Sequence, residues 1–397
     1  MSNILVLSLI LVIDTLLLIF QISELSISYD ETTLLNGSFS SLQLLIKASF
    51  EIFGKNDFAL RFPMIFMHIM SVILLYSITK EYVKLERNRI WLILVFILLP
   101  GVMSSAIVVN KAGFILFGLL LFVYVYKRFS QRFYYPLLIL YMLIEGNFVY
   151  LFMALFLFSL YTKNRNFFLL NIVLTASSLF LYGIDMHGSP RGFFLDSIGL
   201  YAAIFTPIIF VYLFYVLYRK LLTKDIDILW FIAAITLVLS LLLSFRQKIA
   251  IEYFAPYIVL SLPLVAQTFE HSYRVRLNQF RKNYKTIFII SLVFLVINSS
   301  VVFFNKYLYL VVQQPRKHFT YKMHVAKELA AELKNRGIEC VETGKKMAPR
   351  LEFYGVTKCN KQLLQENYLH PSHLEDVTIS YKNRIIYSAN VTNLNIN

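Results

Sequence analysis

The sequence predicts an all-α polytopic membrane protein that carries a small α/β domain at its C-terminal end. Three observations support this. The 397 residues are 58% hydrophobic and only 15% charged, against roughly a quarter charged in soluble domains, and the mean hydropathy is +0.64. Apolar runs able to cross a hydrocarbon layer of about 30 Å as helices recur from the first residues to Phe304. Beyond Phe304 the pattern changes to short amphipathic and strand-like segments. A soluble globular enzyme is excluded.

Taken in order, eleven runs are expected to span, over 4–22, 64–79, 91–109, 113–126, 133–144, 148–162, 167–184, 198–218, 227–245, 249–268 and 286–304. The fifth is short, as a tilted or half-crossing helix would be. The first lacks a basic leader and a small-residue cleavage site, so it reads as a retained helix. The net charge of +15 serves topology rather than nucleic-acid binding. With the N-terminus inside, the basic turns Lys80 to Arg89, Lys127 to Arg132, Lys163 and Arg165, Arg219 to Lys224 and Arg274 to Lys285 all face the cytoplasm. The opposite connections hold only Lys47, Lys55, Arg61, Lys111, Arg191, Arg246 and Lys248 before residue 305. That asymmetry predicts N-in, C-out.

Two outer segments are long enough to be structured. The first loop, 23–63, belongs to a membrane domain of residues 1–304, and its stretch Ser41 to Phe53 has the apolar spacing of a helix lying in the interface. The tail, 305–397, reads as the α/β domain: an amphipathic helix from Tyr321 to Arg336 stopped by Gly337, a strand-like IECVET, a short helical MAPRLEFYG and a strand-like DVTISY. Cys340 and Cys359, the only cysteines, are either a disulfide in an oxidising compartment or two buried thiols.

Charges in an apolar protein must be solvated, paired or used. Tyr29-Asp30-Glu31 follows the first helix directly, setting two adjacent carboxylates at the membrane surface. Such acids can take a proton from a hydroxyl or hold a divalent cation; they also simply favour a helix's first turn. Arg61, Lys111, Arg191, Arg246 and Lys248 mark loop tips on the same face and fit an anion such as a lipid phosphate, although a single such residue also serves as a snorkelling anchor. Glu252 and Tyr253 follow Lys248 by one helical turn and can share its face. Asp14 and His68, within spans, are expected to hydrogen-bond helix to helix. Glu145 and His187 lie near helix ends.

The acidic pair after helix one, the interfacial helix, the phrase FGKNDFALRFP leading into helix two, the late RQKIAIEYFAPY and the tail's LEFYG together resemble the GT-C membrane glycosyltransferases. The branch they resemble is glycosyltransferase family 39, which contains the protein O-mannosyltransferases and the bacterial lipid A aminoarabinose transferase. The resemblance implies transfer of a sugar from a polyprenyl-phosphate-linked donor to a lipid, glycan or protein acceptor at the outer face of a bacterial inner membrane. By position, Asp30 resembles the family's catalytic acid, Glu31 its partner, Arg61 the basic residue of an Arg-Leu-Pro-like segment, and Arg246 and Lys248 the late cations that meet the donor phosphate. Lys111 and Arg191 join that phosphate site; Tyr29, Glu252 and Tyr253 line the pocket; and Asp30 with Glu31 would hold a divalent cation if one is used.

The chain departs from the family in two places. It has no KPP-like segment in the first loop, and Val109-Asn110-Lys111-Ala112 stands where many members carry a second acid. A transporter or flippase of a lipid-linked saccharide would also place cations at headgroup depth, but no second half repeats the first, as many transporters require. An O-antigen polymerase or ligase is the remaining alternative, and its large loop usually falls late.

Overall fold

The computed structural model describes residues 3–37, 39–183, 192–312, 314–366 and 376–393. Helices dominate. They run α1 (Asn3–Glu24), α2 (Tyr29–Asn36), α3 (Ser41–Phe53), α4 (Asp57–Thr79), α5 (Glu86–Leu98), α6 (Pro100–Ile107), α7 (Lys111–Arg128), α8 (Gln131–Ile144), α9 (Val149–Tyr161), α10 (Arg165–Tyr182), α11 (Phe194–Phe205), α12 (Pro207–Thr223), α13 (Ile228–Ser244), α14 (Ala255–Val259), α15 (Leu262–Val275), α16 (Asn278–Phe303), α17 (Ala326–Asn335) and α18 (Ala348–Phe353). Strands β1 (Gln362–Glu366), β2 (Asp376–Tyr381) and β3 (Arg384–Asn393) complete the described chain.

The protein is an integral membrane protein. By length and composition, α1, α4, α10 and α16 can each cross a membrane, and two bent pairs, α5 with α6 and α11 with α12, add up to two more crossings among the described residues. Each expected apolar run coincides with a helix or a set of helices. The 61° bend between α5 and α6 falls at an extended Leu99 followed by Pro100, the first residue of α6, where proline's missing N–H costs nothing. The 105° bend between α11 and α12 turns on Thr206, a β-branched residue at φ 66°, a conformation that costs strain. Along α1 and α16, side chains such as Leu9, Val12, Leu16, Ile290, Phe294 and Ile297 stay exposed, as lipid-facing residues do.

Two compact units emerge. The first comprises Met1–Leu16, Ser40–Leu42 and Phe62–Ser299, the second Leu17–Phe39, Gln43–Arg61 and Ser300–Asn397. Most of the first loop, read from sequence as part of the membrane domain, thus groups with the tail. The first unit's core is a continuous apolar cluster that includes Phe96, Leu119, Phe152, Leu155, Ile232 and Leu260. Buried within this unit, His68 Nε2 lies 2.9 Å from Asp14 Oδ2, the helix-to-helix pairing expected of them, and the His68 ring stacks on Phe96.

Helix α3, which from Gln43 onward belongs to the second unit, follows the interfacial stretch residue for residue. Its inner side buries Leu42, Gln43, Ile46 and Ser49 while Leu44, Leu45, Ile52 and Phe53 stay exposed. Pro63 lies inside α4 and has no N–H to give the carbonyl of Ala59, four residues before it. The Ser49 hydroxyl of α3 donates to that carbonyl instead, at 2.6 Å.

The tail builds its core from Leu329, Leu333, Val341, Leu351, Val356, Val377 and Tyr387. The expected amphipathic helix is α17, preceded by a 3₁₀ turn at Tyr321–Met323, and it ends before Gly337, at φ 74°, a left-handed position that glycine takes freely. The sheet has order β1-β3-β2, both pairings antiparallel. The segment expected as strand IECVET forms only isolated bridges, Cys340 with Thr357 and Glu342 with Leu363. The central strand β3 and the edge strand β1 were not expected from the sequence. Cys340 and Cys359 form a disulfide, which resolves that alternative.

Candidate functional site

The connection from α1 to α2 is short, irregular and buried: Leu25, Ser26, Ile27 and Ser28 are each 2% exposed or less. Buried irregular backbone needs a partner for every N–H and C=O, and here each has one. Leu25 N donates to the Ile22 carbonyl at 3.3 Å, and Ser26 N to the Met323 carbonyl at 2.7 Å. Ile27 N donates to Tyr354 Oη at 2.8 Å, and Ser28 N to Glu31 Oε2 at 2.8 Å. The carbonyls of Leu25 and Ser26 accept from Arg61, at 3.0 and 2.9 Å. The Ile27 carbonyl accepts from Arg350 Nε at 2.9 Å, and that of Ser28 from Thr32 N at 3.1 Å.

This connection delivers Tyr29, Asp30 and Glu31 as the first turn of α2. Ser28 caps the helix, its hydroxyl accepting from Glu31 N at 3.1 Å while Glu31 returns a bond to Ser28 N, the reciprocal arrangement that satisfies two otherwise orphaned donors. One residue decides which carboxylate is free. Glu31, at the third helical position, turns inward and is wholly buried, whereas Asp30 is exposed and Tyr29 half-buried.

Arg61 does not occupy the position expected of a phosphate ligand. It is wholly buried. Its Nε and Nη2 donate to the two oxygens of Glu31, and its remaining bonds go to the carbonyls of Ile22, Leu25 and Ser26. A guanidinium has five N–H groups, and all five are used within this fold. The correction extends to Glu31. With its carboxylate turned to Arg61 and Ser28 N, it does not fit a divalent cation shared with Asp30. Among the described residues no group of three or more His, Cys, Asp or Glu side chains is arranged to hold a metal.

The tail contributes further polar groups to the same unit. Tyr354 donates from its hydroxyl to Asp57 Oδ1 at 2.6 Å, and Lys327 pairs with Asp57 Oδ2 at 3.0 Å. Burial first, and then Asp57, raise the Tyr354 phenol well above its ordinary value, so it stays a neutral donor. Burial lowers the Arg350 guanidinium from its ordinary value. No local sequence signal marks Arg350 and Tyr354; only LEFYG, which contains Tyr354 and follows Arg350 directly, drew attention to this segment.

The first unit carries the remaining candidates. Lys111, at the start of α7, pairs with Glu145 Oε1 at 3.1 Å, and the same oxygen accepts from Asn147 Nδ2 at 2.8 Å. The Lys111 ammonium also lies over the Tyr253 ring, 5.9 Å from its centroid. Glu145 is therefore an acid beside Lys111, supplied by the α8–α9 connection rather than by the loop before α7. Arg246 and Lys248 are exposed in the turn after α13, and Glu252 is exposed in a 3₁₀ turn. Arg191 and His187 lie outside the described residues. An apolar cleft of about 430 Å³ between α9, α10 and α13, lined by Met153, Leu157, Thr175 and Leu239 among others, includes none of the expected site residues.

No family model matches the chain, and no curated protein does. Among solved structures, the chain is similar to the apo form of ArnT from Cupriavidus metallidurans, with 10% sequence identity and a TM-score of 0.49, over 89% of this chain and 86% of that one.

Proposed function

We propose that this protein is a membrane glycosyltransferase that moves a sugar from a polyprenyl-phosphate-linked donor to a hydroxyl-bearing lipid, glycan or protein acceptor at the outer face of a bacterial inner membrane. One observation carries the proposal: adjacent carboxylates on one helical turn are held in opposite surroundings, Glu31 wholly buried on Arg61 and Asp30 exposed. A buried ion pair that fixes the backbone beside an exposed acid is what a general base needs, a defined position with access to the reacting proton. The motif resemblance supplies the substrate class.

In this reading the acceptor oxygen attacks the anomeric carbon and forms the new C–O bond. The bond from that carbon to the phosphate oxygen breaks, and polyprenyl phosphate leaves with the electron pair. The acceptor's proton goes to Asp30. Arg246 and Lys248, exposed cations, and Lys111, partly exposed beside Glu145, offset the leaving group's charge; Arg191 is a further candidate. Tyr29, Glu252 and Tyr253 are proposed to line the pocket. Arg61 and Glu31 are structural in this scheme.

The test is Asp30→Asn in purified, reconstituted protein supplied with a panel of polyprenyl-phosphate sugars. The amide keeps the shape but cannot take the proton, so turnover should fall by about 10² or more, the usual range for loss of a general base, with donor binding retained. Full activity in this variant would remove Asp30 from the mechanism. A transporter would move its lipid substrate in both forms and yield no glycosylated product.

A further inference from the structure

We infer that Arg350 and Tyr354, in the C-terminal tail, are positioning residues for Asp30, so that the tail is a working part of the catalytic unit rather than an appended domain; this rests on the reading of Asp30 as the base. The segment that sets Asp30 in place is held from two sides. Arg61 holds the carbonyls of Leu25 and Ser26 and, through Glu31, the first turn of α2. The tail holds the residue between those grips: both backbone groups of Ile27 end on tail side chains, the N–H on Tyr354 Oη and the carbonyl on Arg350 Nε. Ser26 N ends on the Met323 carbonyl.

Ile27 lies three residues before Asp30, and no helix or sheet ladder engages it. Its two backbone groups have no partner in the local backbone: the neighbouring turn bonds run from Leu25 N to the Ile22 carbonyl and from Thr32 N to the Ser28 carbonyl. Tyr354 is itself fixed, since its hydroxyl gives its hydrogen to Asp57 and has lone pairs left to accept from Ile27 N. The arrangement is therefore directional: Asp57 orients the phenol, the phenol and Arg350 orient Ile27, and Ile27 orients the turn that presents Asp30. An error of about 1 Å in the placement of a reacting group can cost about 10² in rate.

The experiment uses the full chain in proteoliposomes with a polyprenyl-phosphate sugar that wild type turns over, and compares Tyr354→Phe, Arg350→Lys and Arg350→Ala. Expected are a fall in kcat of about tenfold or more with little change in donor KM, faster hydrogen exchange at the Ser26 and Ile27 amides, a Tyr354→Phe protein that stays folded at the assay temperature although the stranded Ile27 N–H lowers its unfolding midpoint, and partial rescue of Arg350→Ala by added guanidinium. Wild-type kcat in Tyr354→Phe and Arg350→Lys, with the Ile27 amide exchanging faster, would overturn the inference, because the loop would then be loosened without consequence. So would a loss of activity that only tracks a lowered unfolding midpoint and is not rescued by guanidinium. A wild type with no transfer activity on any donor would instead remove the functional reading beneath it, and the inference with it.

Discussion

Arg61 donates to both carboxylate oxygens of Glu31, at 3.1 and 3.0 Å, and neither side chain reaches solvent. Breaking a buried pair by removing one partner leaves an uncompensated charge and costs about 3–5 kcal/mol. Arg61→Ala should therefore lower the unfolding midpoint markedly in detergent, because it also strands the carbonyls of Leu25 and Ser26. Glu31→Gln, which keeps the shape and an acceptor oxygen, should cost less. An unchanged midpoint in Arg61→Ala would show that the pair does not hold the fold.

Donor affinity should respond at Arg246, which is exposed. If Arg246 grips the donor phosphate, Arg246→Ala loses a charge-assisted contact worth about 2–3 kcal/mol while the unfolding midpoint stays where it was. Titration of the purified variant with a polyprenyl-phosphate sugar checks this. Wild-type affinity would reduce Arg246 to an interfacial anchor.

What the sequence made legible was local. The bounds of α3 follow from its apolar spacing, Asp30 and Glu31 favour a helix's first turn, and Asp14 and His68 were each expected to bond to a neighbouring helix, although not to one another across 54 residues. What it hid were partnerships across long stretches of chain. Arg61 and Glu31 are 30 residues apart and Lys111 and Glu145 are 34 apart; a charge pattern shows that each needs a counter-charge but not which one the fold supplies. Strand β3 was hidden for another reason: RIIYSANVTN mixes strand-favouring residues with Ala and Asn, and it earns its place by pairing on both edges.

Acid should weaken the tail through His324. Burial, with the charge of Lys306 and then His318 adding to it, lowers this imidazole to about 3, from about 6.5 in an unfolded chain. The folded state holds it neutral and unfolding lets it take up a proton. Its contribution is therefore complete above about pH 6.5 and is lost as pH falls toward about 3, by up to about 1.4 kcal/mol per unit. The protection of the α17 amides, measured relative to the intrinsic exchange rate at each pH, should fall between pH 7 and 5 in wild type, and less so in His324→Gln. Equal slopes in the two proteins would place the acid sensitivity elsewhere.

The disulfide closes a loop across a sequence separation of 19, for which chain entropy predicts about 3 kcal/mol. Cys340→Ser with Cys359→Ser should destabilise the tail by roughly that amount. Before reduction the wild type should show no thiol to an external maleimide, so cysteines introduced at Ser40 or Gln362 should label from outside intact cells and those at Asn88 or Asn278 should not. Labelling at Asn88 would invert the proposed topology.

The hydrogen that Pro63 lacks works as an address. Elsewhere in a regular helix each carbonyl is taken up by the helix itself, so the break ahead of Pro63 gives α3 one place on α4 to fasten, through Ser49. A helix held at an interface by lipid alone is free to roll about its axis, but α3 is indexed to a fixed angle. The outward setting of its greasy stripe, Leu44, Leu45 and Ile52, is thus fixed partly by a ring in a different helix, together with Gln43, whose amide donates to the Leu35 carbonyl.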